Sequence, residues 1–434
     1  MISLALALAL LGAGPQDTLR LGPGVHPGPL VISRPTVVLG APGAVLQGDG
    51  RGTVLTILAP GSVVRELAVE GSGRDPDHYD AGVKVAADSV TLDHVTISRS
   101  LFGVYVEKAR GVRLAYVIIV GQPGGREGDR GDGISFYDSR EIVAEHCGIS
   151  WMRDGIYFSY SDSVVVRDNQ VSHVRFGLHY MFSHENRFER NVFTDNAAGA
   201  VIMNSRHVSV TDNVFAWNSG SRSYGLVLQT ASDPVVRGNT FVGNGIGVFF
   251  DNVIRGEFSD NLVAANWLGL ELFADNENTA VTGNAIVGNT FDASGGGAPG
   301  AFTFCRGGRG NYWSRAARDG YDLDGDGVLD APHPASSPLA ELALTHDGLR
   351  PLLDSPASRT LEWAERTFPV FAGTSAVDSC PLARAPRLAS VAKLPAAPAA
   401  RLGGTLAQGA ASAALVVGGT VVLVGFRTRR ERAS

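Results

Sequence analysis

The sequence predicts an all-β fold: a right-handed parallel β-helix of about ten coils of roughly 22 residues, followed by a C-terminal transmembrane helix. Two columns of repeated residues and the composition point to the β-helix. Asparagine recurs at Asn169, Asn191, Asn213, Asn239, Asn261 and Asn284, in steps of 22, 22, 26, 22 and 23. Glycine recurs at Gly82, Gly103, Gly133, Gly155, Gly177, Gly199, Gly225, Gly247 and Gly269. Glycine accounts for 54 of the 434 residues and charged residues for only 18%, a balance that favours tight turns over helices.

A fixed period of roughly 20–50 residues is the mark of a solenoid. After the column glycines the chain alternates, as in Ile156-Tyr157-Phe158 and Leu226-Val227-Leu228, which is the strand period. Leucine-rich repeats of similar length need leucine at several fixed positions, and this chain lacks them. One coil cannot bury its apolar face alone, so coils stack. Stacked strands lie about 4.8 Å apart, and a residue type repeated once per coil becomes a vertical column. An asparagine column ties coils together because the side chain both donates and accepts. His146, Tyr116 and His94 extend that column upstream. The glycines are expected at sharp turns with positive φ.

Residues 20–330 are assigned to the β-helix and 331–375 to a C-terminal capping segment with an acidic calcium-type loop. Residues 1–14 are apolar, too short to span a bilayer, and read as a signal peptide. Residues 376–404 read as a linker rich in Ala and Pro, and 406–426 as an uncharged membrane span. Residues 427–434 form an Arg-rich tail, which the positive-inside rule places in the cytoplasm and the rod outside it. A net charge of −6 gives no reason to expect nucleic acid. Three cysteines, Cys147, Cys305 and Cys380, allow one disulfide whose pairing the sequence leaves open.

Extra residues gather in one turn of the coil, between Leu67 and Gly82, between Tyr116 and Gly133, and between Asn213 and Gly225. Insertions on one edge of a solenoid commonly build its functional face. Two of the loops are charged, and Asp77, His78, Arg126 and Asp129 are taken as a partner-binding rim. On the strand after the glycine column, alternation turns the second and fourth residues outward, among them His179, Met181 and Met203. Thioethers beside an imidazole suit Cu(I), so these three are the candidate copper ligands. Asp322, Asp324, Asp326, Val328 and Asp330 have the spacing of a calcium loop, with Gly327 at its sixth place and no bidentate Glu at its twelfth.

Four segments resemble one family. They are Gly177-Leu178-His179-Tyr180-Met181 with Ser183, Gly310-Asn311-Tyr312-Trp313-Ser314, the tract from Gly320 to Gly327, and Leu361-Glu362-Trp363 with Phe368-Pro369-Val370. In this order they look like NosD, over roughly residues 20–375. The resemblance implies a non-enzymatic periplasmic protein that acts with an ABC transporter in copper-centre maturation of nitrous oxide reductase. It implies a copper chaperone and the apo-reductase as further partners. The rival expectation is a carbohydrate-binding or polysaccharide-cleaving β-helix. Asp251 and Glu271, outward on adjacent coils, would then be its carboxylate pair.

Overall fold

A computed structural model describes residues 17–346 apart from 125, 221–222 and 337, together with residues 355, 360, 376–387, 414–417 and 420–423. The fold is an all-β parallel solenoid of about 13 turns, more than the ten expected. The chain divides into two compact units, residues 1–196 with 200–209, and residues 197–199 with 210–434.

In the first unit most coils have three short strands, while Val63–Glu70 and Thr91–Ser98 each run as one strand through two of these positions. Asp154–Ser159, Val165–Arg167 and Gln170–Ser172 pair in parallel with Phe176–Met181, Arg187–Glu189 and Val192–Thr194. Alternation holds: Ile156, Phe158, Leu178 and Tyr180 are buried, while Tyr157, His179 and Met181 are partly exposed. Phe136, Phe158 and Tyr180 stack inside with ring centroids 5.0 and 5.3 Å apart. Each such ring buries an area that contributes about 1.5–3 kcal/mol. In the second unit Leu226, Val248 and Leu270 form the matching inner column.

The asparagines form a buried ladder. In the first unit the backbone N–H and Nδ2 of Asn169 both donate to Asn191 Oδ1, at 3.0 and 2.9 Å. In the second unit Asn213, Asn239, Asn261, Asn284 and Asn311 repeat the arrangement. A second ladder, five residues on, contains Asn218, Asn244, Asn266 and Asn289. Upstream the column is displaced by one residue from the expectation. Cys147, not His146, donates its N–H to Asn169 Oδ1. His94, Tyr116 and His146 occupy the preceding left-handed corner, φ 54–55°, where their rings stack at 4.6 and 4.9 Å.

The glycine column also has a different cause from the one expected. None of its glycines has positive φ. A Cβ on Gly155 would lie 2.5 Å from the Gly177 carbonyl oxygen, and one on Gly247 the same distance from that of Gly269. The column therefore exists because adjacent coils approach too closely there for any side chain.

Residues from the expected linker close the second unit. Val377–Asp378 pairs with His333–Pro334, and Cys380 is bonded to Cys305. Asp378 Oδ2 accepts from the N–H and Nδ2 of Asn311, at 2.8 and 3.2 Å, and from Trp313 Nε1 at 2.9 Å. It is thus the acceptor that ends the ladder. Helix Pro338–Thr345 lays Leu339, Ala340 and Ala343 on Leu268 and Phe291.

Where a transmembrane helix was expected over 406–426, the described residues are strands. Ala414–Val417 and Thr420–Leu423 pair as antiparallel strands, in keeping with their Val and Thr content. No helix among the described residues is long and apolar enough to cross a membrane. The signal peptide expected at 1–14, the basic tail at 427–434, and the rest of the linker and span lie outside the described residues.

Replacing Asp378 by Asn turns an acceptor-only group into one that also presents N–H to donors. We expect Asp378→Asn to lower the unfolding free energy by about 2 kcal/mol, read by chemical denaturation. Unchanged stability would contradict its place as the ladder terminus.

Candidate functional site

Register assembles the outer face of the first unit. Ser135, Tyr157 and His179 stand on one column, and Tyr137, Ser159 and Met181 on the next. The strand Ala198–Arg206, carrying Met203, neighbours the strand Phe176–Met181 in the sheet. His184 bridges Arg206, an offset of 22 residues, and the same offset sets Met203 above Met181. Both methionines are partly exposed, as is His179. The three expected copper ligands therefore share one outer face.

Beneath them lies a buried charge network that sequence reasoning missed. Asp132 and Asp154, each the residue before a column glycine, have side chains 3% and 0% exposed. Arg153 Nε and Nη2 donate to Asp132 at 3.1 and 3.2 Å, and Arg175 Nε and Nη2 donate to Asp154 at 2.8 and 2.6 Å. His179 Nδ1 lies 2.8 Å from Asp154 Oδ2. Burial first, and the neighbouring Asp154 charge second, push the Asp132 carboxyl up to about 6. Asp154 is held below the ordinary range by its bonds with His179 and Arg175, which outweigh burial. The repetition of Asp-Gly at 132–133 and 154–155, with arginine at 153 and 175, was the available signal.

An Nδ1–H given to a carboxylate leaves the imidazole Nε2 with its lone pair for a metal. The edges of Tyr157 and Phe176 hold the ring, with centroids 5.0 and 5.1 Å away. The donor set, one oriented imidazole and two thioethers, fits a soft monovalent cation.

The expected rim residues lie on two loops of this unit. Asp77, His78, Arg126 and Asp129 are all exposed. His78 Nδ1 contacts Asp75 Oδ2 at 2.8 Å, and Asp129 closes the short helix Glu127–Asp129. Arg74 Nη2 donates to Gln122 Oε1 at 3.3 Å, which joins the two insertions.

In the second unit the acidic loop gathers Asp322, Asp324 and Asp326, whose oxygens lie within 4.8 Å of one another. Asp330 accepts the Leu323 N–H at 2.9 Å, and Val328 donates its own N–H to Asp326. The rival carboxylates are not in register. Glu271 stands opposite Phe249, and Asp251 accepts from Gln229 at 2.6 Å.

The chain is similar to known proteins. The family described as "Periplasmic copper-binding protein (NosD)" matches residues 115–317. A "Probable ABC transporter binding protein NosD" of Pseudomonas aeruginosa is 32% identical over 88% of this chain and 94% of its own length. A protein of the same name from Stutzerimonas stutzeri is 32% identical over 86% of this chain and 88% of its own length. Among solved structures, the PL6 family alginate lyase AlyGC superposes with a TM-score of 0.52 at 15% identity, over 69% of this chain and 49% of that one. That likeness is one of fold alone.

The buried carboxylates make stability depend on pH. Asp132 has its folded pKa raised, so its contribution is complete below the ordinary 3.8 and is lost as pH rises through about 6. Asp132→Asn mimics the protonated form. Its stability relative to the parent is expected to improve from pH 4 to pH 7, measured by denaturation at both. A pH-independent difference would contradict the raised carboxyl.

Proposed function

The chain belongs to the NosD family, and on that premise we propose a non-enzymatic role outside the cytoplasm: with an ABC transporter, the protein assists assembly of the copper centre of nitrous oxide reductase. Copper is its cargo, received from a copper chaperone and passed to the apo-reductase. The outer face of the first unit is where copper is held. His179, Met181 and Met203 are its ligands, and Asp154 positions the His179 ring.

One observation carries the copper assignment. In a chain with four methionines, two share an outer face with a histidine whose Nδ1 is already engaged by a buried carboxylate. Soft ligands of this kind select Cu(I) over harder divalent ions. The family description, which names a periplasmic copper-binding protein, is consistent with that cargo and compartment. The names of the two relatives support the transporter as partner. Asp77, His78, Arg126 and Asp129 would form the protein-contacting rim.

Calcium at the acidic loop is a separate part of the proposal. Asp322 Oδ1 is buried and has no hydrogen-bond partner, which a cation would supply. Asp322, Asp324, Asp326, the Val328 carbonyl and Asp330 would be its ligands. Affinity in the range of extracellular modules, roughly 10⁻⁴–10⁻³ M, is expected.

Two measurements test these assignments. Cu(I) affinity, read by competition with a Cu(I) chelator, should fall at least about tenfold, near 1.4 kcal/mol, in the Met181→Leu, Met203→Leu double variant. Asp154→Asn should weaken it by about 10–100-fold through the imidazole. Unchanged affinity in both would remove the site. Millimolar Ca²⁺ should raise the melting temperature of the parent and not of an Asp322→Asn, Asp326→Asn variant. An equal response in both would remove the calcium loop.

A further inference from the structure

The two joined insertions of the first unit border an open cavity of about 260 Å³. That is just under the roughly 300–1,000 Å³ typical of sites for drug-sized ligands. Arg74, Arg126 and Arg130 line it, against a single carboxylate from Asp129. Trp151 and Met152 contribute apolar wall.

These arginines stand apart from others of the same unit. Arg153, Arg167 and Arg175 each grip a carboxylate. Among the described residues, Arg74 bonds only the Gln122 amide oxygen and Arg130 only the Gly124 carbonyl, through Nη2 at 2.6 Å. Arg130 Nε is buried with no hydrogen-bond partner. A buried donor without an acceptor is unfavourable, and a charged one more so. The wall thus holds excess positive charge and a buried N–H with no acceptor among the described residues.

We propose that this cavity binds a small oxyanion. A guanidinium presents parallel N–H groups at the spacing of two oxygens on one tetrahedral centre, and such pairs are the strongest hydrogen bonds a protein offers. Arg130 supplies Nε, Arg74 a second guanidinium on the opposite loop, and Arg126 further charge on the solvent side. Asp129 limits the total charge and disfavours crowding by several anions. The site lies on the rim of the outer face, but its binding does not depend on copper.

Calorimetric titration of the full chain with inorganic sulfate, inorganic phosphate and malonate, each at constant ionic strength in chloride, tests it. Saturable binding of sulfate or phosphate is expected. Arg130→Gln should weaken it at least tenfold, as should the exposed-loop variant Arg74→Gln with Arg126→Gln. The double variant should keep the melting temperature of the unliganded parent, which separates lost binding from lost folding. Absence of saturable binding would overturn the proposal. So would binding that follows ionic strength rather than the anion, persists in the double variant, or is confined to malonate.

Discussion

The buried amide of each ladder asparagine is the constraint on which the other features rest. Its Oδ1 accepts two N–H groups from the coil before, and its Nδ2 donates to the next asparagine and back to a carbonyl, as Asn261 does to Asn284 and Val236. A buried amide so arranged has its hydrogen bonds met, and one slipped by a residue does not. The ladder therefore fixes vertical register while the apolar columns inside supply most of the driving force. Each rung gives its backbone N–H and one Nδ2 N–H to the next asparagine, so the final rung needs an acceptor beyond it. Asp378 is that group, held in place by Cys380 and the strand beside His333.

Fixed register is what makes an outer face. With the inner columns filled, outward positions are free to carry chemistry. Glycine lets adjacent coils meet closely at the start of that strand, and the carboxylates before it at 132 and 154 are buried under the face. Such a carboxylate needs a partner. Arginine meets that need twice, and His179 joins the second pair. The buried Asp154 thus also orients the imidazole.

Much of this was legible in the sequence because the repeat is periodic. The columns, the alternation and the outward placement of His179 and Met181 follow from spacing alone. What spacing could not distinguish was which of two adjacent residues sits inside a corner, so His146 was read for Cys147. A glycine kept for close approach looks like one kept for positive φ. Asp378 lies 67 residues beyond Asn311 and carries no local sign of its part. The run from 406 to 426 is apolar enough for a span, yet its Val and Thr also suit strands. Apolar character alone does not choose between them.

The stacking of Met203 above Met181 can be tested directly. Parallel neighbours in register fall within the Cα separation of roughly 4.4–6.8 Å that a disulfide tolerates. Cysteines replacing Met181 and Met203 should bond readily under mild oxidation, with the bridge mapped by peptide mass spectrometry. Met181→Cys combined with Ile202→Cys, whose side chain is interior, should not. Bonding in the second pair and none in the first would show that the outer face is not built as described.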